Sequence, residues 1–470
     1  MNARRLFTVP LVVALLAAAP LHAHFAPLTP AELVERSGRI VVATVEEQSS
    51  RREGSSIYTD TLLRVEDRLR GAAPDRLTIS QLGGSIGDET QGTCLSVPLE
   101  PGERYLLFLS GRDRPSITGG PQGAVRDRSE FSGIVEEVRA YLNGESPSLR
   151  AIAAAAAEEE GLSSIHDRFV LKEELAVPPI VFTPLPEDSP FSPHDQRQMA
   201  YWNVYHPDLF RVGPATGLWS SGNGVFEIGF PDRLGDRDWP TGGVSAIVWR
   251  TQDGHTVEAD IGLNPAVSWT LDEEEATRPN EAHSFRETIL SHLGQAWGMR
   301  SSVFPSQDSV VALKAKEYRL ATLFADDTAA VRAAFGGTPV RDGLISSHYG
   351  YFPSRPSVSA VRRGGSFLLQ SPIKIENPGT ENLVNPQVEV YLVPRRFSME
   401  KAALVGRVRV RGTILSGGVQ RVVIGRVVVP RTVRPGVYHL AFRLVVAGDK
   451  LAANDIAWSN HNVTLTVKNR

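Results

Sequence analysis

The sequence is short of cysteine and of long apolar runs. Cys94 is the only cysteine in 470 residues, so no intrachain disulfide can form and stability must come from core burial. The formal net charge is only −3, which favours neither nucleic acid nor an anionic membrane as a partner. Beyond the N-terminus, no stretch is long and apolar enough to span a membrane.

The N-terminus has the pattern of an export signal. Arg4 and Arg5 precede the uncharged apolar run Leu6–Leu21, and the small residue Ala23 follows. A basic start, a short apolar region and a small residue at the cut are typical of a secretory signal peptide. An uncleaved anchor is the alternative, although the run is shorter than the ~20 residues of a spanning helix. We predict a signal peptide over residues 1–23, a secreted or periplasmic location, and no integral membrane segment after cleavage.

The remaining chain divides by composition and periodicity into three domains joined by two connecting segments. Turn-separated, alternating runs at both ends are typical of β-structure, whereas the centre mixes strand and helix patterns. We therefore predict a multidomain α+β chain. Its parts are a small all-β domain (24–126), a helical and proline-rich connector (127–193), a mixed domain (194–337), a linker (338–356) and a β-sandwich (357–470). The first domain carries no readable functional motif.

The strand predictions rest on short runs bounded by glycine and proline. In the first domain they are RIVVATVEEQ (39–48), YTDTLLRVEDRL (58–69), RLTISQL (76–82) and RYLLFLS (104–110). In the mixed domain they are GVFEIGF, VSAIVWRT and TVEADIGLN, with helices predicted over DQRQMAYWNVYH, NEAHSFRETILSHLGQAWGM and FADDTAAVRAAFGG. In the last domain, QVEVYLV, LVGRVRVRGTIL, QRVVIGRVVV and GVYHLAFRLVV alternate at the spacing of a sandwich.

The order of elements in the mixed domain resembles one protease family. A helix ending in YWN is followed by a glycine-turn hairpin, the strand VEADIGLNPAVSW, the helix SFRETILSHLGQAWGM and the closing segment FADDTAAVRAAFGG. This order resembles the bacterial matrixin-like zinc metallopeptidases, a branch of the metzincins, over roughly residues 200–337. The resemblance implies a metzincin-like α/β domain. It also implies a zinc motif H-E-x-x-H-x-x-G-x-x-H on the SFRETILSHLGQAWGM helix and a methionine turn after it.

The residues of the motif have been replaced. Carried over position by position, the first His falls on Ser291, the general-base Glu on His292, the second His on Gln295, the third His on Ser301 and the supporting Met on Lys314. Only the glycine persists, as Gly298. In the working motif, two His at i and i+4 reach one metal and the Glu activates the zinc-bound water. The resemblance therefore implies a metallopeptidase homologue without catalytic residues, a pseudoenzyme.

A rearranged zinc site is the rival hypothesis. His283 and Glu287 are spaced i,i+4, so on one helix they would form a two-ligand face, and His292 is a third weak candidate. Catalytic zinc needs three protein ligands, and His283 and His292 lie about 180° apart on a helical wheel. The simpler interpretation of His292 is a buried or rim histidine with a hydrogen-bond partner. We expect no cofactor, or zinc if the chain is an active endopeptidase with relocated ligands.

The C-terminal domain is basic and resembles a second family. Between Arg395 and Arg434 there are ten Lys or Arg residues against one acid, and alternation predicts Arg407, Arg409 and Arg411 on one strand face. Such a face suits an anionic polymer, or is simply solvated and prevents edge aggregation. The stretch PGVYHLAFRLVVAGDKLAANDIAWSNHNV, with Asn454, Asn460 and Asn462, resembles bacterial adhesion-type immunoglobulin-like modules.

The sequence thus supports three functional hypotheses. The first is an exported, non-catalytic binding or scaffolding protein that takes extended peptide or a cell-surface polymer, and not nucleic acid. The second is an active secreted zinc endopeptidase with a rearranged metal site. The third is a structural or adhesive protein in which the middle domain is a spacer. Zinc content separates the first two, because only a peptidase needs the metal.

Overall fold

The structure is a computed structural model, and several of the sequence predictions lie outside the residues that it describes. These are the signal peptide, Cys94, Ser301, Lys314, Asn460 and Asn462. The described residues are 28, 30–93, 95–111, 114–128, 131–144, 175–215, 219–220, 222–234, 237–276, 282–299, 322–346, 355–370, 372–451, 454–459 and 463–469.

The chain is β-rich, with 43% strand against 16% helix arranged in several sheets. Within the described residues, no helix is long and apolar enough to cross a bilayer.

The first unit is a sheet with both faces covered. Its order is β3-β2-β1-β6-β7, with β8 also pairing β6. Alternation along β1 directs Ile40 and Val42 towards the helices and Val41 and Ala43 into a second cluster beneath the sheet. The elements are α1 (Pro30–Arg36), β1 (Arg39–Glu53), β2 (Ser56–Arg70), β3 (Arg76–Leu82), β4 (Gly84–Ile86), β5 (Glu89–Thr93), β6 (Arg104–Ser110), β7 (Ser116–Ile117), a 3-10 turn at Gly120–Gly123, β8 (Ala124–Arg126) and α2 (Phe131–Leu142). The helix α2, predicted within the connector, packs on this sheet through Ile134 and Val138.

The middle unit is built on a seven-stranded sheet of order β10-β9-β11-β15-β14-β5-β4. Strands β10, β9, β11 and β15 run parallel, whereas β14 is antiparallel to β15. The last two strands, β5 and β4, come from the first unit, so this sheet crosses the predicted boundary at residue 126.

The elements of the middle unit are β9 (Ile180–Thr183), α3 (His194–Asn203), β10 (Phe210–Val212), β11 (Phe226–Gly229), β12 (Arg233–Leu234), β13 (Arg237–Asp238), β14 (Ser245–Gln252), β15 (His255–Leu263), β16 (Trp269–Thr270), α4 (Glu273–Ala276), β17 (His283–Ser284), α5 (Phe285–Trp297) and α6 (Ala325–Phe335). One apolar core joins the sheet to α3 and α5, and its large, fully buried side chains include Trp202, Trp297, Tyr205, Phe182 and Phe285.

The C-terminal unit consists of strands around a separate apolar core. A six-stranded sheet of order β19-β30-β28-β23-β24, with β29 on β28, and a three-stranded sheet β18-β21-β26 share this core. The strand β18 lies within the predicted linker and pairs β21. The strands are β18 (Leu344–Ser346), β19 (Ala360–Arg362), β20 (Ser366–Leu368), β21 (Ile373–Glu376), β22 (Leu383–Val384), β23 (Gln387–Val393), β24 (Ala403–Arg409), β25 (Thr413–Ile414), β26 (Val419–Val422), β27 (Arg426–Val428), β28 (Gly436–Val445), β29 (Ile456–Trp458) and β30 (Leu465–Lys468).

Candidate functional site

The helix α5 carries the predicted motif positions and is well defined at both ends. At its start, the Ser284 hydroxyl accepts a hydrogen bond from the Glu287 amide at 3.2 Å. At its end, Gly298 has φ 134°, a conformation that glycine adopts readily. The Gly298 amide donates a hydrogen bond to the Gly294 carbonyl. A β-carbon at Gly298 would lie 2.3 Å from the Cδ2 atom of Leu175, so close packing also selects glycine there.

The motif positions on α5 lie inside the protein. Ser291 and Gln295 are each 3% exposed, and His292 is 0% exposed. The helix packs between α3 on one side and strands β14 and β15 on the other. Burial lowers the pKa of His292 to about 3, so the imidazole is neutral at physiological pH. His292 is therefore a core histidine. Its position lacks the solvent access that a zinc-bound catalytic water needs.

The rival zinc hypothesis placed His283 and Glu287 on one helix, and this placement is wrong. His283 belongs to the short strand β17, where it pairs in register with Trp269. The helix begins two residues later because the capping residue Ser284 has extended backbone angles. Glu287 lies in the first helical turn, so the two side chains do not share a helix face. Among the described residues, no three His, Cys, Asp or Glu side chains are placed to hold a metal ion.

A group of buried carboxylates lies on the opposite face of the sheet. Strand alternation directs Ala259 and Ile261 into the core shared with α5, so Glu258 and Asp260 face away from it. The carboxylate of Glu258 accepts hydrogen bonds from the amides of Gly222, Asn223 and Gly224. Burial and the neighbouring Glu258 charge raise the pKa of Asp260 well above its ordinary range, which favours its neutral form. Sequence alternation shows the pair Glu258 and Asp260, but only packing reveals that this face is buried.

A cavity of about 470 Å³ opens where β9 and β11 end. Its walls include the aromatic side chains of Trp219 and Phe230 and the carboxylates of Glu227 and Asp232. The oxygen Oε2 of Glu227 accepts the Ser220 amide at 2.8 Å, so this carboxylate also holds the adjoining loop. The carboxyl ends of parallel strands are a common place for ligands in open sheets.

A second acidic cluster joins the middle unit to the C-terminal unit. Asp342 is fully buried, accepts the hydroxyl of Tyr205, and contacts the amide nitrogen of Asn454 at 3.3 and 3.4 Å. Burial raises the pKa of Asp342 to about 7. Burial and the nearby charge of Asp449 raise the pKa of Asp455 to about 8. These carboxyl groups therefore retain protons near neutral pH, which lets them pack together without repulsion.

Two of the three residues of the predicted basic face lie on one strand. Arg407 and Arg409 lie on β24 and are exposed, but the strand ends there, so Arg411 follows it as an exposed residue outside the strand. The chain turns because Gly412 has φ 96° and leads into β25. Arg407 Nε lies 3.0 Å from Oε1 of Glu389, which in register faces Arg443 on its other side. The basic residues are thus partly neutralised across the sheet.

Charge is distributed unevenly along the chain. Residues 351–470 contain eighteen Lys or Arg against six Asp or Glu, a formal charge of +12, whereas residues 1–350 carry −15. The near-neutral total therefore conceals a basic C-terminal unit attached to an acidic remainder, a distribution that whole-chain charge does not reveal.

Comparisons with known proteins give weak similarities. No protein-family model and no curated protein matches the chain. A CARDB domain from Pyrococcus furiosus, solved in complex with di-metal ions, is 12% identical with a TM-score of 0.17, covering 28% of this chain and 96% of that domain. A family 123 glycoside hydrolase from Clostridium perfringens is 12% identical with a TM-score of 0.16, and the matched region covers 28% of this chain and 27% of the hydrolase.

Proposed function

We propose that the chain is an exported, matrixin-like metallopeptidase homologue that has lost its zinc site and works as a non-catalytic binding or scaffolding protein. The observation that carries the proposal is the state of helix α5. Ser291, His292 and Gln295 stand where the resemblance implies two ligands and a base, and all three are buried in the core. Serine and neutral glutamine are poor zinc ligands, and a catalytic metal needs three good ones and an open position.

The order of the middle-unit elements supports the resemblance to a metzincin-like domain. The helix α3, strands β11, β14 and β15, and helices α5 and α6 occur in the order implied by the motifs. The packing residues Leu290, Leu293 and Ala296 are each fully buried, so α5 serves the core without its metal. A family fold can persist in this way after its chemistry is lost, because packing and catalysis use different residues.

The test is the zinc-to-protein ratio of the purified mature chain, measured by elemental mass spectrometry after dialysis and paired with a peptidase assay. We expect a ratio near zero and no peptide cleavage. The matched variant combines Ser291→His, His292→Glu, Gln295→His and Ser301→His, and should bind zinc. A wild-type ratio near one, with cleavage that a chelator abolishes, would establish the active endopeptidase instead.

A second candidate function, binding of an anionic polymer, is favoured by the charge of the C-terminal unit. Heparin is a suitable probe because retention on it responds to clustered positive charge. We expect Arg407→Ala, Arg409→Ala and Arg411→Ala together to elute at clearly lower salt than the wild type. The charge-matched control replaces Arg362, Arg363 and Lys468 with alanine. These residues are exposed at the opposite edge of the same sheet. Equal losses in both triple variants would show that no specific face exists.

A further inference from the structure

The six-stranded sheet of the C-terminal unit has one face in the core and one face open to solvent. Along β28, the side chains of Leu440, Phe442 and Leu444 enter the core, so the residues that alternate with them face outwards. On this outer face, Val437 is 57% exposed and Val445 is 39% exposed. The outer face is therefore accessible at both ends of β28.

One row of residues across this face is basic. Strand register places Glu389 of β23 between Arg407 of β24 and Arg443 of β28, and we call these three residues the basic row. Glu389 is only 7% exposed and its Oε1 lies 3.0 Å from Arg407 Nε, so one buried carboxylate is flanked by two exposed arginines. The exposed Arg409 lies two residues further along β24 on the same face. The face thus keeps a net positive charge, and guanidinium groups bind carboxylates through paired hydrogen bonds.

The neighbouring row on the same face is aromatic. Tyr391 of β23 pairs with Ala441 of β28, which pairs on its other side with Trp458 of β29. Because neighbouring strands lie about 4.8 Å apart, the backbones at Tyr391 and Trp458 are separated by roughly 10 Å. A third ring, that of Phe397, lies 5.6 Å from the Trp458 ring. These three rings, all partly exposed, form what we call the aromatic row.

The rings at both ends of the aromatic row are held by specific contacts. Phe397 has φ 54°, a left-handed conformation that a bulky residue rarely adopts, and such backbone strain is concentrated at binding sites. The guanidinium of Arg396, a residue that is 3% exposed, lies 4.7 Å from the centre of the Phe397 ring. At the other end, the Tyr391 hydroxyl donates a hydrogen bond of 2.5 Å to Glu389 Oε2. This bond joins the two rows, and side chains fixed in advance lose less entropy when a ligand binds.

The combination of rings and arginines indicates the class of ligand. Sugar rings present apolar C–H faces that pack on aromatic side chains, and acidic sugars also carry carboxylates. A chain of acidic sugars therefore offers both groups that these two rows can bind. An anionic lipid surface also offers negative charge, but it binds apolar side chains that insert below the headgroups. Tyr391 and Trp458 instead lie within a sheet face and are only partly exposed.

We propose that the outer face of the β19-β30-β28-β23-β24 sheet binds an acidic polysaccharide. The aromatic row packs against sugar rings, and the arginines of the basic row, with Arg409, bind the carboxylates. This inference rests on the second candidate function, binding of an anionic polymer. It names the polymer class, and it moves the site from one strand to a sheet face that includes Arg443 and leaves out Arg411.

The experiment compares polygalacturonate with polyphosphate, because both are anionic polymers but only polygalacturonate has sugar rings. Trp458→Ala should weaken polygalacturonate binding at least tenfold in isothermal titration calorimetry and change polyphosphate binding less than twofold. Arg443→Ala should weaken the binding of both probes. The controls are Trp239→Ala, at a partly exposed tryptophan of the middle unit, and Arg362→Ala, at the β19 edge of the same sheet. Both controls should bind each probe within twofold of the wild type.

A second variant covers the case in which Trp458→Ala fails to fold. Tyr391→Leu removes the ring at the other end of the aromatic row and keeps an apolar side chain, so it should give the same selective loss. Equal polygalacturonate binding by the wild type and the folded aromatic variants would overturn the proposal. A wild-type chain that binds phosphatidylserine vesicles but not polygalacturonate would also overturn it and identify a membrane-binding face.

The heparin comparison of the two triple variants distinguishes failure of this inference from failure of the function on which it rests. A selective heparin loss in the variant at positions 407, 409 and 411, with unchanged polygalacturonate binding by Trp458→Ala, would refute only the role of the aromatic row. Equal heparin losses in both triple variants would refute the second candidate function itself.

Discussion

The indole nitrogen Nε1 of Trp202 donates a hydrogen bond of 3.1 Å to the main-chain oxygen of Leu290, and both residues are fully buried. Trp202 lies on α3 and Leu290 on α5, so the bond joins the two helices through the core. The Trp202 ring also meets the ring of Trp297 edge to face at 5.8 Å. The motif helix is therefore held by contacts that do not involve the side chains at positions 291, 292 and 295.

Replacing Trp202 with phenylalanine should destabilise the middle unit by about 2–3 kcal/mol, because the buried hydrogen bond to the Leu290 carbonyl is lost and a void is left. Urea unfolding followed by circular dichroism measures this change. Trp239→Phe is the control. Its Nε1 donates to the Pro231 oxygen at 2.8 Å, but the residue is only partly buried, so water can replace the bond. A loss below 1 kcal/mol for Trp202→Phe would show that α5 is held mainly by other contacts.

Lowering the pH should decrease the free energy of unfolding because His292 is buried in its neutral form. Its folded-state pKa of about 3 lies below its ordinary value, so only the unfolded chain takes up this proton as pH falls from about 6.5 towards 3. Stability should therefore decrease over that window, by about 3 kcal/mol between pH 7 and pH 4. Urea titrations at both pH values should show a smaller loss for His292→Leu than for wild type. The exposed His255→Gln serves as control, and an identical loss in all three proteins would contradict the assignment.

The stability contributed by the buried carboxyl groups of Asp342 and Asp455 should decrease as pH rises, which is the opposite of the change expected for His292. The folded-state pKa values of Asp342 (about 7) and Asp455 (about 8) are raised, so the stabilising contribution is complete below pH ~4 and is lost as pH rises through 7 to 8. We expect the Tm to be roughly 3–5 °C lower at pH 9 than at pH 6. Asp455→Asn should flatten this dependence, whereas the exposed Asp232→Asn should not. A Tm that rises from pH 6 to pH 9 would contradict the raised pKa values of Asp342 and Asp455.

Gly298 should resist substitution. Alanine there would combine a positive φ with a contact at 2.3 Å to Leu175, so Gly298→Ala should cost about 2–3 kcal/mol. Gly133→Ala is the matched control on helix α2, where an added β-carbon meets nothing within 4 Å and the change should stabilise slightly. Thermal unfolding of the two variants compares them directly. Equal Tm values would mean that the helix end can relax around an added methyl group.

Local patterns allowed much of the fold to be predicted. The alternating run at 39–48 lies within β1, and the helix predicted over 280–299 contains α5. The predicted helix wrongly included His283. Ser284 has extended backbone angles and caps the helix, so the residue before it lies outside the helix. The pairing of Gly92 with Trp249 could not be predicted, since strand partners distant in sequence leave no local signal. The burial of Glu258 and Asp260 likewise depends on packing, because alternation fixes a face but not its surroundings.

The pairing of the β4–β5 hairpin with β14 also imposes an order on how the chain can fold. Glu89 and Arg250, which meet in the finished sheet, are 161 residues apart in the sequence. The β4–β5 hairpin is synthesised well before β14, so at that stage it has no partner strand. Contacts of such long separation slow folding, and an unpaired strand edge is exposed to aggregation during the delay. The first and middle units should therefore reach their native state together, in one late step, instead of one after the other.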